Sequence, residues 1–159
     1  MYIDSTSFKV ERPTNEDLQR VLYCGKHKTH SIKYECCVRN DGLFVWHSKP
    51  YAGSVHDIKV FRQGGLKQKL SKGEKMIGDK GYIGEHCIIT PYRGNNINEW
   101  QKSFNRTIGR NRVIIERSFG RLKRYGIMSR TFRANLERHE QVFHVCLNLT
   151  NISIILNPL

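Results

Sequence analysis

The chain has 159 residues, 38% hydrophobic and 10% aromatic, within the range of one globular domain large enough to bury a core. Its 27 Lys and Arg against 14 Asp and Glu give a formal net charge of +13, which favours a polyanionic partner through counterion release, nucleic acid first. No run approaches the ~18–20 apolar residues of a membrane helix, and the N-terminus lacks the basic-then-apolar layout of a signal peptide, so neither anchoring nor export is expected. Cys24, Cys36, Cys37, Cys87 and Cys146 are odd in number and contain no C-x-x-C, which predicts reduced, mostly buried thiols. His27 and His30 have a ligand-like spacing but no Cys pair near them to complete a zinc site.

In chain order, Tyr2 to Asp4 is strand-like and runs into Ser5-Thr6-Ser7, which places Asp4 where a strand ends. From Ser31 to Arg39 the residues alternate, with β-formers at Ile32, Tyr34, Cys36 and Val38. Asn40-Asp41-Gly42 then reads as a type I′-like turn, and Leu43 to His47 as the return strand of a hairpin. Pro50 to Ser54 is a loop, and a short helix from His56 to Arg62 follows, with Ser54 as a possible N-cap and Asp57 near the helix start. Lys75 to Asp79 reads as a short buried strand ending on a carboxylate before Lys80-Gly81-Tyr82.

The second half is helical. Val113, Ile114, Phe119 and Leu122 recur at helical spacing from about Asn98 to Tyr125, among many arginines, with Glu116 near the inner face. A last helix from about Leu136 to Leu156 carries Val142, Phe143, Val145, Cys146, Leu149, Ile152 and Ile155 and is expected to pack on the sheet. This order predicts one α/β domain over residues 1–159, a mixed sheet flanked by helices.

Three aspartates at element edges and a glutamate in a basic helix form a set that can converge on Mg²⁺ or Mn²⁺, which prefer oxygen ligands. Taken singly, each Asp reads more simply as a cap or turn residue, and Glu116 as the partner of Arg112 four residues earlier. The flanking sequence adds a family signal. Asp4-Ser5-Thr6, Gly53-Ser54-Val55-His56-Asp57, Gly78-Asp79-Lys80-Gly81-Tyr82 and the stretch from Arg112 through Glu116 to Lys123, with Gly25-Lys26-His27-Lys28 between, occur in one order. Together they resemble the DDE superfamily endonucleases of the Harbinger type and, more distantly, bacterial insertion-sequence transposases. Gly109 stands where the bacterial signature has Tyr, which places the resemblance nearer the Harbinger-like branch.

The resemblance implies an RNase H-like fold and a divalent-metal DNA endonuclease or transposase catalytic domain with Asp4, Asp57, Asp79 and Glu116 as ligands. It also implies DNA contacts from Arg112 and Lys123, with Arg117 and Arg121 beside them. DNA, a Myb-like DNA-binding protein and a second copy of the chain are the partners expected, in the nucleus of a eukaryote or the cytoplasm otherwise. Met1 lies three residues before Asp4, so the helix-turn-helix region that family members carry ahead of this point is expected to be absent. The competing expectation is a silent, truncated or domesticated remnant that binds DNA or protein without cutting.

Overall fold

A computed structural model describes residues 1–159. Strand β1 (Tyr2–Lys9) lies antiparallel to β3 (Thr29–Val38), and the other edge of β3 takes β2 (Tyr23–Cys24), β5 (Tyr51–Ala52) and β4 (Phe44–His47) in turn. Beyond β1 the sheet continues in parallel through β6 (Met76–Ile77) and β7 (Ile88–Ile89). Antiparallel strands followed by parallel ones across a helical connection make a mixed sheet of RNase H-like arrangement, as expected from the sequence.

Strand alternation in β3 sorts its side chains between two cores. Ile32, Tyr34, Cys36 and Val38 join Phe8 under helices α3 (Glu99–Leu122) and α5 (His139–Leu156), where Ile115, Phe119, Leu122, Phe143 and Cys146 close the larger core. Cys37 points the other way, to Ile3, Phe61, Met76, Tyr82 and Ile88 beneath α2 (Asp57–Gln63). Phe143 stacks on Tyr34 with ring centroids 3.9 Å apart and planes 8° from parallel. All five cysteines are buried and unbridged. No helix is long and apolar enough to cross a membrane.

Several local expectations need correction. Asp4 is not at a strand's end: β1 runs on to Lys9, and it is β6 that stops, at Ile77, leaving that edge of β1 unpaired past Asp4 until Phe132 meets it at Lys9. The hairpin turn is not type I′, since only Gly42 has a positive φ (83°). Arg39 to Gly42 close a turn (Gly42 N–H to Arg39 O, 3.0 Å) and Gly42 supplies the left-handed step before Leu43, while the Asp41 carboxylate accepts from Leu43 N–H and Arg39. Ser54 does not cap α2; His56 occupies that position, because Gly53 is bonded to β3 (Gly53 N–H to Ser31 O, 2.9 Å) and the Ser54 hydroxyl turns to Val21 O.

The last helix divides into a 3-10 turn at Leu136–Arg138 and α5. Only one face of α5 reaches the sheet. Phe143, Cys146, Leu147 and Ile154 are buried, whereas Val145, Leu149, Ile152 and Ile155, expected in the core, are exposed. A helix apolar nearly all round cannot bury every side against one layer. Two further helices, α1 (Glu16–Leu22) and α4 (Gly126–Ser129), complete the chain.

Because Phe143 is fully buried against Tyr34, Phe143→Ala is expected to destabilise the fold by about 3–5 kcal/mol, read as a lower urea midpoint at unchanged slope.

Candidate active site

The parallel register of β1 and β6 pairs Tyr2 with Ile77, so Asp4 and Asp79, each two residues further along, stand side by side. Asp57 arrives from the other direction as the first residue of α2. All three line one open groove of about 720 Å³ between the sheet edge and the Gly25–His27 turn, with Lys9, Lys33 and Lys123 on its walls.

Gly81 makes the approach of two of these carboxylates possible. The Asp79 side chain accepts from Gly81 N–H at 2.7 Å, which folds Lys80–Tyr82 into a 3-10 turn. A methyl group on Gly81 would lie 2.9 Å from Asp79 Oδ1 and 3.1 Å from Asp57 Oδ2. The two carboxylates thus face each other across a space that any side chain would fill.

Cations and hydroxyls stand among the acids. Lys33 Nζ donates to Asp57 Oδ1 at 2.9 Å and to Val55 O at 2.8 Å, and the Ser5 hydroxyl donates to the same Asp57 oxygen. Arg112 reaches from α3 to Asp4 Oδ2 at 2.6 Å, while Ser5 N–H donates to Asp4 Oδ1 at 2.8 Å. Burial nevertheless pushes the Asp4 carboxyl up to about 6; Arg112 and the Ser5 amide oppose this, and Asp79 and Asp57 add to it. The donor set is the hard oxygen type that a divalent cation takes, and the gap over Gly81 gives such an ion room between Asp57 and Asp79. No three of the acids converge on a common point here, since Arg112 and Lys33 take up oxygens that a metal would use.

Glu116 stands apart. It is exposed, makes no hydrogen bond or ion pair, and does not line the groove, although it sits on α3 one turn beyond Arg112. It does not pair with Arg112, whose partner is Asp4. Of the other cations expected at DNA, Lys123 borders the groove and lies 5.7 Å over the Phe8 ring, and Arg117 is exposed. Arg121 Nη1 donates to Ser153 O and Asn157 O at the end of α5 and so caps the helix carbonyls there.

Ser5 and Tyr82 enter the sequence reading only as flanks of the motif aspartates, and Lys33 and Glu35 not at all. Alternation in β3 was the available signal, because Lys33 and Glu35 share the face of Cys37 and must enter the interior beneath α2. Glu35 has no exposed surface; its Oε1 accepts from Tyr82 O–H at 3.0 Å and its Oε2 has no partner. Burial drives its carboxyl up to about 8; the Tyr82 hydrogen bond opposes this, and Asp57 and Asp4 reinforce it. Glu35 is therefore protonated at neutral pH, a backing to the turn that carries Asp79.

A pH-dependent stability follows. With its folded value raised, Glu35 contributes stability fully present below about 4.5 and lost as pH rises through about 8. Glu35→Gln is expected to be more stable than the wild type at pH 8, by on the order of 4 kcal/mol, and to lose that advantage at pH 4. Urea melts at the two pH values measure it; equal differences at both would mean that Glu35 does not titrate as described.

Comparison with known proteins adds to this geometry. The family model for a DDE superfamily endonuclease matches residues 3–151. A curated relative, the "Probable transposase for insertion sequence element IS702" of Microchaete diplosiphon, is 30% identical over 141 residues, covering 82% of this chain and 49% of its own length. The chain thus spans about half the length of this relative. No solved structure matches it. With Asp4 on β1 and Asp79 just past the end of the parallel β6 side by side in an RNase H-like sheet, and a family match over nearly all its residues, the chain belongs to the DDE superfamily of endonucleases.

Proposed function

We propose that this domain cuts DNA phosphodiester bonds as the catalytic part of a transposase, using Mg²⁺ or Mn²⁺ held by Asp4, Asp57, Asp79 and Glu116. The observation that carries the reading is the space over Gly81, bounded by Asp57 and Asp79 with Asp4 alongside. A divalent cation there would supply the Lewis acidity that makes a water nucleophilic and offsets charge on the leaving oxygen.

The chain's own residues do the rest. Arg112 and Lys33, paired here with Asp4 and Asp57, are the cations nearest to where a phosphate would lie, and would face it if a divalent cation took those carboxylates. Lys9, Lys123 and Arg117 hold the flanking backbone. Glu116, exposed on α3 one turn beyond Arg112, would be the fourth carboxylate of the set. The 3′-hydroxyl left by hydrolysis is the group that attacks a second DNA in strand transfer. Membership of the Harbinger branch, a Myb-like targeting partner, assembly with a second copy, and nuclear action in a eukaryote belong to the same reading and rest on motif resemblance. The insertion-sequence relative supports the broader family.

A second reading, a silent remnant that binds without cutting, draws on the ion pairs already occupying Asp4 and Asp57. Calorimetric titration with Mn²⁺ separates the two, since absence of any binding favours the remnant.

Supercoiled plasmid incubated with Mg²⁺ or Mn²⁺ is expected to be nicked. Asp79→Ala and Glu116→Ala are expected to lower the rate by on the order of 10²–10³, the scale on which loss of one charge-stabilising group acts. Wild-type cutting by Asp79→Ala would mean the site is elsewhere; by Glu116→Ala alone, that three aspartates suffice. Gly81→Ala, whose backbone needs no left-handed φ, is expected to keep its thermal midpoint within ~2 °C while losing Mn²⁺ binding, because the added methyl group fills the space between Asp57 and Asp79.

A further inference from the structure

Helix α3 is longer than the body it packs on. Its first nine residues, Glu99 to Thr107, bury no side chain, and the first buried position is Ile108. A capping box between Asn98 and Gln101 keeps this overhanging end helical. On it stand three aromatic rings. Trp100 and Phe104, one turn apart, are stacked with centroids 5.6 Å apart and planes 21° from parallel, and Tyr92 from the preceding loop meets both edge-on.

The rings are not needed to hold that loop. Tyr92 N–H and Tyr92 O are already bonded to the Asn105 side chain at 2.8 and 3.1 Å, which clamps the loop to the helix. Trp100 remains 63% exposed, an unusual exposure for the largest apolar side chain, and Tyr92 is also open to solvent. The surround is basic: Arg93 follows Tyr92, Arg106 and Arg110 follow along the helix, all three exposed and unpaired, and the nearby Glu99 is matched by Lys102 at 2.7 Å.

We infer that this aromatic platform binds unpaired bases of a DNA strand, with Trp100 as the stacking surface and Arg93 and Arg110 on the phosphates. Exposed ring faces combined with unpaired cations match single-stranded nucleic acid, whose bases present open faces; in a duplex those faces are already covered by neighbours. Trp100 lies twelve residues before Arg112, roughly 18 Å along the helix axis, or about five nucleotides of strand at 3.4 Å each. On the reading that Asp4, Asp57 and Asp79 cut DNA, the platform takes a base about that far from the bond broken.

The test uses binding without divalent metal, so that it does not depend on cleavage. Trp46→Phe leaves Trp100 as the one indole, and a short oligothymidylate is expected to quench its fluorescence, whereas a blunt duplex of equal length is expected to leave it nearly unchanged. Trp100→Leu, apolar but unable to stack, is expected to weaken oligothymidylate binding at least about fivefold, while Trp100→Phe retains most of it; duplex affinity should change by less than about twofold in both. Unchanged oligothymidylate affinity in Trp100→Leu, or equal weakening on duplex, overturns the inference. So does a result in which the substitution alters only the sedimentation of the protein alone, which would make the platform a contact between copies. A protein that binds oligothymidylate through Trp100 but nicks no plasmid keeps this inference and removes the nuclease reading.

Discussion

Three aspartates brought into one groove repel one another, and everything around them answers that repulsion. Arg112 and Lys33 come from opposite sides of the sheet, one from α3 and one from β3, and each holds a different carboxylate. Even so, the Asp4 carboxyl remains raised, with burial as the largest cause and Asp57 and Asp79 adding to it. Removing this carboxylate from water therefore costs more than Arg112 and the Ser5 amide return. A groove in this state gains from any added cation and, once that cation is present, from the phosphate it attracts.

The turn after β6 takes its shape from its own hydrogen bonds and from a glycine. Asp79 is tied back to Gly81 N–H, Tyr82 is anchored to Glu35, and the bare Cα of Gly81 keeps the Asp57–Asp79 gap open. Gly78, just before, has no room for a Cβ either, since one would lie 2.7 Å from Ile88 and 3.2 Å from Ile3. Two glycines in four residues serve different ends, one packing the parallel strands together and the other keeping Asp57 and Asp79 apart.

Much of this was legible in the sequence because the signals were local. The β3–β4 hairpin, the short strand before Asp79, the helix over Glu116 and the placement of Asp57 at a helix start all follow from alternation, turn residues and helical spacing. What was not legible depended on neighbours far along the chain. Nothing near Arg112 tells that it meets Asp4, and nothing near Arg121 tells that it closes the end of α5. Helix α1, with Asn15 accepting from Leu18 N–H and two acids in its first turn, carried a start signal that its short length and exposed Leu18 and Val21 concealed. The buried Glu35 was hidden by the expectation that a charged residue in a strand faces water, when the sheet here is covered on both sides.

The outer face of α5 has a consequence for the behaviour of the molecule in salt. From Gln141 to Pro158 there is no Asp, Glu, Lys or Arg, although the whole chain carries +13. Val145, Leu149, Ile152 and Ile155 are open along that face. At low ionic strength the overall positive charge keeps such faces apart and draws the protein to polyanions. Added salt screens both effects together: it weakens the attraction to polyanions and lowers the electrostatic barrier between apolar faces. The charge that favours a polyanion is thus also what keeps the outer face of α5 from meeting its like.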